Sequence, residues 1–450
     1  MPAPARKPQA TATQHAAVSL FLAGVEAVKP DNAVMNSCRV EAETLFIRDR
    51  QFPLNQYRHI YVVGAGKATA PMAAALERIL GARITTGIIV VKYGHTEPLA
   101  RIRTIEAAHP IPDDAGANGA RQVLELVSAA TADDLVICLI SGGGSSLLPL
   151  PAAGLTLEDK QKTTAALLAS GATIHEVNTV RKHLSALKGG LLARAASPAT
   201  LISLIISDVI GDDLDTIASG PTVADSTTFA DCDAIIRKYR LNTTLPPRVL
   251  DRLDQGLAGS LAETAKPEER CFTTALTTIL AGNLEAVQRV EYAARQQGYN
   301  TLILSSMLEG ESREIAKSLV AIARECSQSG LPVAPPACII AGGETTVTIR
   351  GGGKGGRNQE MALSAAIALE SLPITFLSCG TDGNDGPTEA AGAVVDGTTL
   401  NVAKSLQLDP IHYLNDNDSY HFLKKTGNLV ITGPTNTNVM DLQIMLVPAG

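Results

Sequence analysis

A chain of 450 residues, 45% hydrophobic and 18% charged, has material for two or three domains with substantial cores, which excludes a disordered protein. Its net charge of −7, with no basic block, leaves no electrostatic footprint for nucleic acid, and 3% aromatics with no Trp leave no stacking surfaces for single strands. The expected partner is a small molecule; no nucleic acid and no membrane is expected.

The opening stretch, MPAPARKPQATATQHAAVSLFLAGVEAV, carries Arg6 and Lys7 early but no uninterrupted apolar run with a cleavage site, so no secretory leader is expected. No stretch approaches ~18 uninterrupted apolar residues, and no membrane span is expected. The seven cysteines (38, 138, 232, 271, 326, 338 and 379) are scattered, and several lie inside apolar runs. This is the pattern of a reduced cytoplasm and not of a disulfide scaffold.

Along the chain, short aliphatic runs at 59–64, 87–91, 101–107, 135–141 and 200–207 read as strands, with helical patterns at 67–80 and 114–130 between them. Near-continuous Val/Ile/Leu strands separated by helices predict a parallel sheet covered on both faces, the doubly wound α/β class. The polar stretch at 254–270 breaks the pattern and predicts a domain boundary. Beyond it, helices start near 283 and 311, and the closely spaced strands of the tail, TTVTIR among them, predict a mixed sheet.

The polar loops follow strands, where open α/β sheets carry their sites. GAGKAT (64–69) puts Lys67 at the start of a helix, where its ammonium and the helix amides could share a phosphate; the plain alternative is a solvated surface lysine. SGGGSS (141–146) offers backbone donors and hydroxyls, and a tight turn accounts for one glycine but hardly three. In VNTVRKHLSALKGG (177–190), Asn178, Arg181, His183 and Lys188 share a predicted helix, with Arg181 suited to a carboxylate and a solvated face as the alternative. Asp208 ends a strand, as base or metal carboxylates do, while Asp212, Asp213 and Asp215 read as turn caps. In GTDGNDG, Asp382 and Asp385 suit either an oxygen-rich Mg²⁺ loop or a turn. Glu344 and Arg357 bracket a five-glycine loop and would either pair structurally or face a ligand.

The standard motifs fail. Neither Gly-Lys pair completes a Walker A loop, HEVNT lacks the second zinc histidine, and Leu147 spoils a hydrolase elbow. Gly351, Gly353 and Gly356 meet G-x-G-x-x-G formally, without the strand and acidic residue of a dinucleotide site.

Read together, VGAGKA, HPIPD, SGGGSSLL, VNTVRKHLSALKGG, SDVIGDDLDTIASGPT, GGETTVTIRGGGKGGRNQE, GTDGNDGPTEAAGA and NDSYHFL resemble the class II glycerate kinases, the MOFRL-type glycerate 2-kinases, over residues 15–447. One departure is Asn436, where the family usually has glycine. The resemblance implies a doubly wound Rossmann-like N-terminal domain (1–255), a linker (256–270) and a smaller C-terminal α/β domain with a mixed sheet (271–450), with the active site in the cleft between the domains. It implies ATP-dependent phosphorylation of D-glycerate at the 2-hydroxyl, giving 2-phosphoglycerate; phosphoryl transfer in turn calls for Mg²⁺ as cofactor, the cysteine pattern points to the cytoplasm, and a homodimer is an open expectation. Some family members carry the label hydroxypyruvate reductase, the NAD(P)H-dependent alternative.

Under the kinase reading Lys67 and Arg357 match the family's functional positions, and Asp208 is the further catalytic candidate. Ser141, Ser145, Asn178, Arg181 and Lys188 are expected to bind substrate. Gly142, Gly143, Gly144, Glu344, Gly353, Gly355, Gly356 and Asn358 are expected to bind nucleotide, with SGGGSS and GGGKGGR as rival phosphate cradles. Asp382 and Asp385 are the expected metal ligands.

Overall fold

The computed structural model describes residues 11–449; Arg6 and Lys7, on which part of the leader reading rests, lie outside them. An antiparallel meander comes first: β1 (Cys38–Glu41), β2 (Thr44–Ile47) and β3 (Arg50–Pro53). Its turns hold Ala42, Glu43 and Arg48 at φ of 46°, 62° and 51°. Tight hairpins demand this left-handed backbone and usually announce it with Asn-Gly or Asp-Gly. Those letters are missing here, so the meander has no signal in the sequence.

The aliphatic runs that follow form β4 (His59–Ala65), β5 (Thr86–Lys92), β6 (Ile102–Ala107), β7 (Asp134–Ile140) and β8 (Thr200–Ile206), joined by β9 (Ala275–Ala281) in the order β6-β5-β4-β7-β8-β9. β4 pairs in parallel with β5 and β7, β5 with β6, and β7 with β8. Every residue of β7 is buried. Side chains alternate between faces, so both faces of that strand are covered, and this is why it is aliphatic throughout. The strand order is the 3-2-1-4-5-6 arrangement of doubly wound sheets, in which the winding reverses between the first and fourth strands, here β4 and β7. Ligands of such sheets bind outside the carboxyl ends of those two strands.

The other large sheet contains β10 (Asn300–Leu308), β11 (Ala337–Gly343), β12 (Thr375–Gly380), β13 (Gly392–Asp396), β14 (Leu429–Val430) and β15 (Asp441–Val447), ordered β10-β11-β15-β12-β13-β14. β10 and β11 are parallel and the remaining pairs antiparallel, giving the mixed sheet expected. Helix Arg357–Leu369 is buried along most of its length within this sheet's core.

The chain divides into two compact units in a way the sequence does not announce. Residues through Lys29 join the chain from Ala281 onward, and Pro30–Leu280 form the other unit. Helix Ala12–Ala27 thus belongs with the mixed sheet: Thr375 Oγ1 donates to Thr13 Oγ1 at 2.9 Å and Thr437 Oγ1 donates to the Val28 carbonyl at 2.7 Å. The expected linker, 256–270, packs inside the Pro30–Leu280 unit, with Thr264 and Ala265 buried and the Ala265 amide donating to the Gly189 carbonyl at 3.0 Å. Among the described residues no helix is long and apolar enough to cross a membrane. All seven cysteines are free and buried.

Candidate active site

The loops leaving β4, β7 and β8 meet at the reversal point of the first large sheet. The Lys67 amide donates to the Gly142 carbonyl at 2.9 Å, locking the β4 and β7 loops together. Ser141 completes the lock: its Oγ accepts from the Ala68 amide at 3.0 Å and lies 3.1 Å from Thr69 Oγ1, at the start of helix Thr69–Leu80. Ser141, expected to bind substrate, is buried and its hydroxyl is engaged in these contacts. Two of the three consecutive glycines are required by close neighbours. A Cβ on Gly142 would lie 2.1 Å from Asp208 Oδ2; Gly143 has a φ of 86° and a Cβ there would lie 2.9 Å from His109 Cδ2.

Asp208 and His109 therefore crowd the same glycine loop, beside Lys67. Burial raises the Asp208 carboxyl above its ordinary value, opposed by the Lys67 charge. Burial, then the charges of Lys67, Lys92 and His95, push His109 down to about 4, so its ring is neutral at physiological pH. His109 has no special signal in the sequence beyond lying in HPIPD.

Next to this loop opens a pocket of about 620 Å³ whose lining includes Gly143, Ser145, Lys160, Arg181 and Lys188. Lys188 Nζ donates to the Ser145 carbonyl at 2.7 Å, to Ser145 Oγ at 3.2 Å and to the Ala218 carbonyl at 3.4 Å. Lys160 Nζ donates to the carbonyls of Pro149 and Leu150 at 2.9 and 3.4 Å. Arg181 Nε donates to Thr164 Oγ1 at 3.5 Å. Among the described residues no carboxylate pairs with any of the three cations. Lys182, one position past Arg181, shows the contrast: it is fully buried against Asp215 and Asp225 at 2.7 and 2.8 Å.

Charges left unpaired in a protein interior are costly, and their titration registers it. Lys160 is pushed down to about 7 by burial and then by Arg181 and Arg252. Lys188 is held well below its ordinary value by burial and then by Lys160 and Arg181, and burial also lowers Arg181. Such a cluster is suited to hold an anion. Arg181 and Lys188, expected from the sequence to bind substrate, both line this pocket. Lys160 was not expected there, because LEDKQKTT reads as an exposed helix charge.

Asn178 does not line the pocket. Its Oδ1 accepts from Ser219 Oγ at 3.1 Å, and Ser219 Oγ lies 2.9 Å from Ser145 Oγ, so Asn178 positions Ser145 from behind. Ala218 and Ser219 sit at φ of 52° and 61°, a conformation that costs non-glycine residues energy and concentrates at functional sites. His183 is structural: buried, with Nδ1 2.8 Å from the Thr179 carbonyl and Nε2 3.0 Å from Glu263 Oε2.

In the other unit the glycine-rich loop is no open cradle. The amides of Arg350 and Gly351 donate to Asn417 Oδ1 at 2.7 and 3.0 Å, those of Gly352 and Lys354 to the carboxylates of Asp416 and Asp418 at 3.1 and 2.9 Å, and that of Gly353 to the Asp416 carbonyl at 2.9 Å. Gly355 and Gly356 have no room for a Cβ, which would lie 2.2 Å from Ser419 Oγ and 2.3 Å from Asp385 Cγ. These glycines serve packing against 385 and 416–419, and amides already holding carboxylates are poorly placed to hold phosphate.

Arg357 opens the buried helix. Its Nε and Nη2 grip both oxygens of Asp441 at 2.6 and 3.0 Å, and Nη1 donates to Glu344 Oε1 at 2.7 Å. Burial lowers the guanidinium, but the bonds and charge of Asp441, then Glu344 and Asp385, outweigh it and raise it overall. Glu344 is thus a partner of Arg357, and three of the five guanidinium N–H donors are engaged. Asn358 is buried between Asp385 and Ser378, with Ser378 Oγ donating to its Oδ1 at 2.6 Å.

The expected Mg²⁺ carboxylates each have local protein partners. Asp385 caps the helix: its oxygens accept from the amides of Asn358 and Gln359 at 3.1 and 2.8 Å and from both their side chains at 3.3 and 2.9 Å. Burial pushes it up to about 6, with the Asp441 charge adding to this and the amide bonds opposing it. Asp382 Oδ1 accepts from the Asn384 amide at 2.9 Å, the geometry of a local turn. Among the described residues no three His, Cys, Asp or Glu side chains converge as a metal site.

Comparison with known proteins fits this architecture. Residues 16–254 match a family described as a domain of unknown function (DUF4147), and residues 337–441 match the MOFRL family. A glycerate 2-kinase of Pyrococcus horikoshii is 42% identical over 433 residues, covering 96% of this chain and 97% of that protein. A protein of Agrobacterium vitis that bears the provisional name hydroxypyruvate reductase is 45% identical over 431 residues, covering 95% and 93%. The crystal structure of a glycerate kinase from Thermotoga maritima superposes with a TM-score of 0.87 at 42% identity, covering 97% of this chain and 99% of that one. The fold is that of a doubly wound α/β enzyme. The chain belongs to the MOFRL-type, class II glycerate kinase family.

Proposed function

We propose that this enzyme transfers the γ-phosphoryl group of ATP to the 2-hydroxyl of D-glycerate, giving 2-phospho-D-glycerate and ADP. The observation that carries the reading is the cluster of Lys160, Arg181 and Lys188 without carboxylate partners, beside Lys67 at the reversal point of the sheet. Both substrates are anions, and phosphoryl transfer asks a protein chiefly for positioned cations. In this reading the 2-oxygen bonds to phosphorus as the bond from phosphorus to the β–γ bridging oxygen breaks. Asp208 takes the hydroxyl proton; its carboxyl, raised by burial, is a stronger base than an ordinary one. Lys67 faces the charge that develops on the transferring group, and Arg357 retains its proposed catalytic part through the donors not engaged by Asp441 and Glu344. Mg²⁺, the usual cofactor of ATP, arrives on the nucleotide, whose phosphate oxygens normally supply many of its ligands. The reaction is assigned to the cytoplasm, where ATP is available.

The test is direct: incubation with ATP and D-glycerate should give ADP and 2-phosphoglycerate together, and ADP release that ignores glycerate would refute the reading. The 3-2-1-4-5-6 strand order and the name of the Agrobacterium relative favour a second reading, an NAD(P)H-dependent hydroxypyruvate reductase. Against it, Thr69 replaces the third glycine after β4, and β5 ends in Lys92 where NAD sites place an acid. That reading requires loss of NADH or NADPH absorbance on adding hydroxypyruvate, and none is expected.

A further inference from the structure

The three unpaired cations make up only part of their pocket's lining. The lining also includes the apolar residues Pro110, Ile111, Pro112, Leu157 and Leu168, the last two on the same helix as Lys160. Ile111 is 70% exposed and Leu168 56% exposed, large apolar side chains held toward water at a pocket mouth, which marks a binding surface. The wall is fixed in place: Gln161, on helix Leu157–Ala169, donates from Nε2 to the Pro112 carbonyl at 2.7 Å and ties the 109–113 loop to the helix.

Size and charge select the occupant. Glycerate is a small, wholly polar monoanion. It would neutralise one of three cations, bury no apolar surface and fill a fraction of about 620 Å³, a volume in the range of sites for much larger ligands. A nucleoside triphosphate matches all three features, having a polyanionic chain at one end and a flat, largely apolar ring at the other.

Resting on the kinase reading above, we propose that this pocket seats the nucleotide, with the triphosphate over Lys160, Arg181 and Lys188 and the base against Ile111 and Leu168. Phosphate binding then falls to the Pro30–Leu280 unit, and the GGGKGGR loop, whose amides are occupied, is not the cradle. Lys160, which no motif singles out, becomes a nucleotide ligand, and Arg181 and Lys188 move from the glycerate side to the nucleotide side.

The experiment measures binding of a non-hydrolysable ATP analogue and of inorganic tripolyphosphate to the full chain by calorimetry, without glycerate. Lys160→Met should weaken both ligands by about tenfold or more, through loss of a charged contact. Ile111→Asp, at an exposed position that leaves folding intact, should weaken the analogue while sparing tripolyphosphate. In steady state both variants should raise KM for ATP and leave KM for glycerate within about twofold. Unchanged analogue affinity in both variants, or a rise confined to KM for glycerate, overturns the proposal. Melting curves identify a Lys160→Met protein that has failed to fold, in which case Ile111→Asp alone decides. If the wild type binds the analogue with these variant effects yet phosphorylates no glycerate, the nucleotide pocket stands and the assigned reaction falls. If it phosphorylates glycerate but the variants leave the nucleotide untouched, the reverse holds.

Discussion

Filling the cationic pocket should draw a proton from solution. Lys160 is held at about 7 by burial and then by Arg181 and Arg252, so roughly half of it is neutral at pH 7 and about nine-tenths at pH 8. A polyphosphate beside the ammonium restores its pKa toward the ordinary lysine range of about 10.4. Binding should therefore take up ~0.1 proton at pH 6, ~0.5 at pH 7 and ~0.9 at pH 8 from this side chain alone. Lys188, also held low by burial, can add to the total. The sign follows: the charged form binds better, so affinity is highest below pH 7 and falls as pH rises through 7 toward the bound-state value. Raising the pKa by two units corresponds to about 2.7 kcal/mol of coupling. Calorimetry of the ATP analogue in buffers of different ionisation enthalpy measures the protons directly. The difference between wild type and Lys160→Met isolates the lysine from the ligand's own titration. An uptake that does not grow from pH 6 to pH 8, or that is identical in Lys160→Met, refutes the reasoning.

The other predictions concern the catalytic cations and the metal. Lys67→Ala should lower kcat by on the order of 10²–10⁵ with only a small change in melting temperature, because Asp208 loses a nearby opposing charge but no direct ion pair; a proportionate loss of stability would show a structural lysine instead. Arg357→Ala should lose stability as well as rate, by about 3–5 kcal/mol, because fully buried Asp441 loses the guanidinium that grips both its oxygens; denaturant unfolding that matches wild type would refute this. EDTA should abolish phosphorylation and Mg²⁺ restore it, whereas full activity in the stringent absence of divalent metal would remove the metal from the reaction.

What could be read in the sequence was what local pattern determines. The aliphatic runs specify β4 to β8 because strands buried on both faces leave no polar positions. The glycine triplet after β7 is visible because Asp208 and His109 approach too closely for side chains. What escaped depends on distant partners. Ser141 looks like a ligand until its hydroxyl is seen holding the next helix. Lys160 looks solvated until the Pro149 and Leu150 carbonyls close over it. Glycines around Lys354 look like an anion nest, yet residues 416–418 occupy the amides, over sixty positions away. Helix Ala12–Ala27 has no letter that says which sheet it will cover.

That helix has a consequence for dissecting the molecule. The chain begins in one unit, builds the whole of the other and then returns, so the Pro30–Leu280 unit is an insertion in the polypeptide's path. Severing the chain within 256–270 yields no pair of independent halves. The leading fragment carries away a helix that the mixed sheet needs, and the trailing fragment carries β9, the edge strand of the first large sheet. Each fragment holds an element of the other's sheet or its cover, so the two should be insoluble apart and should reconstitute when produced together.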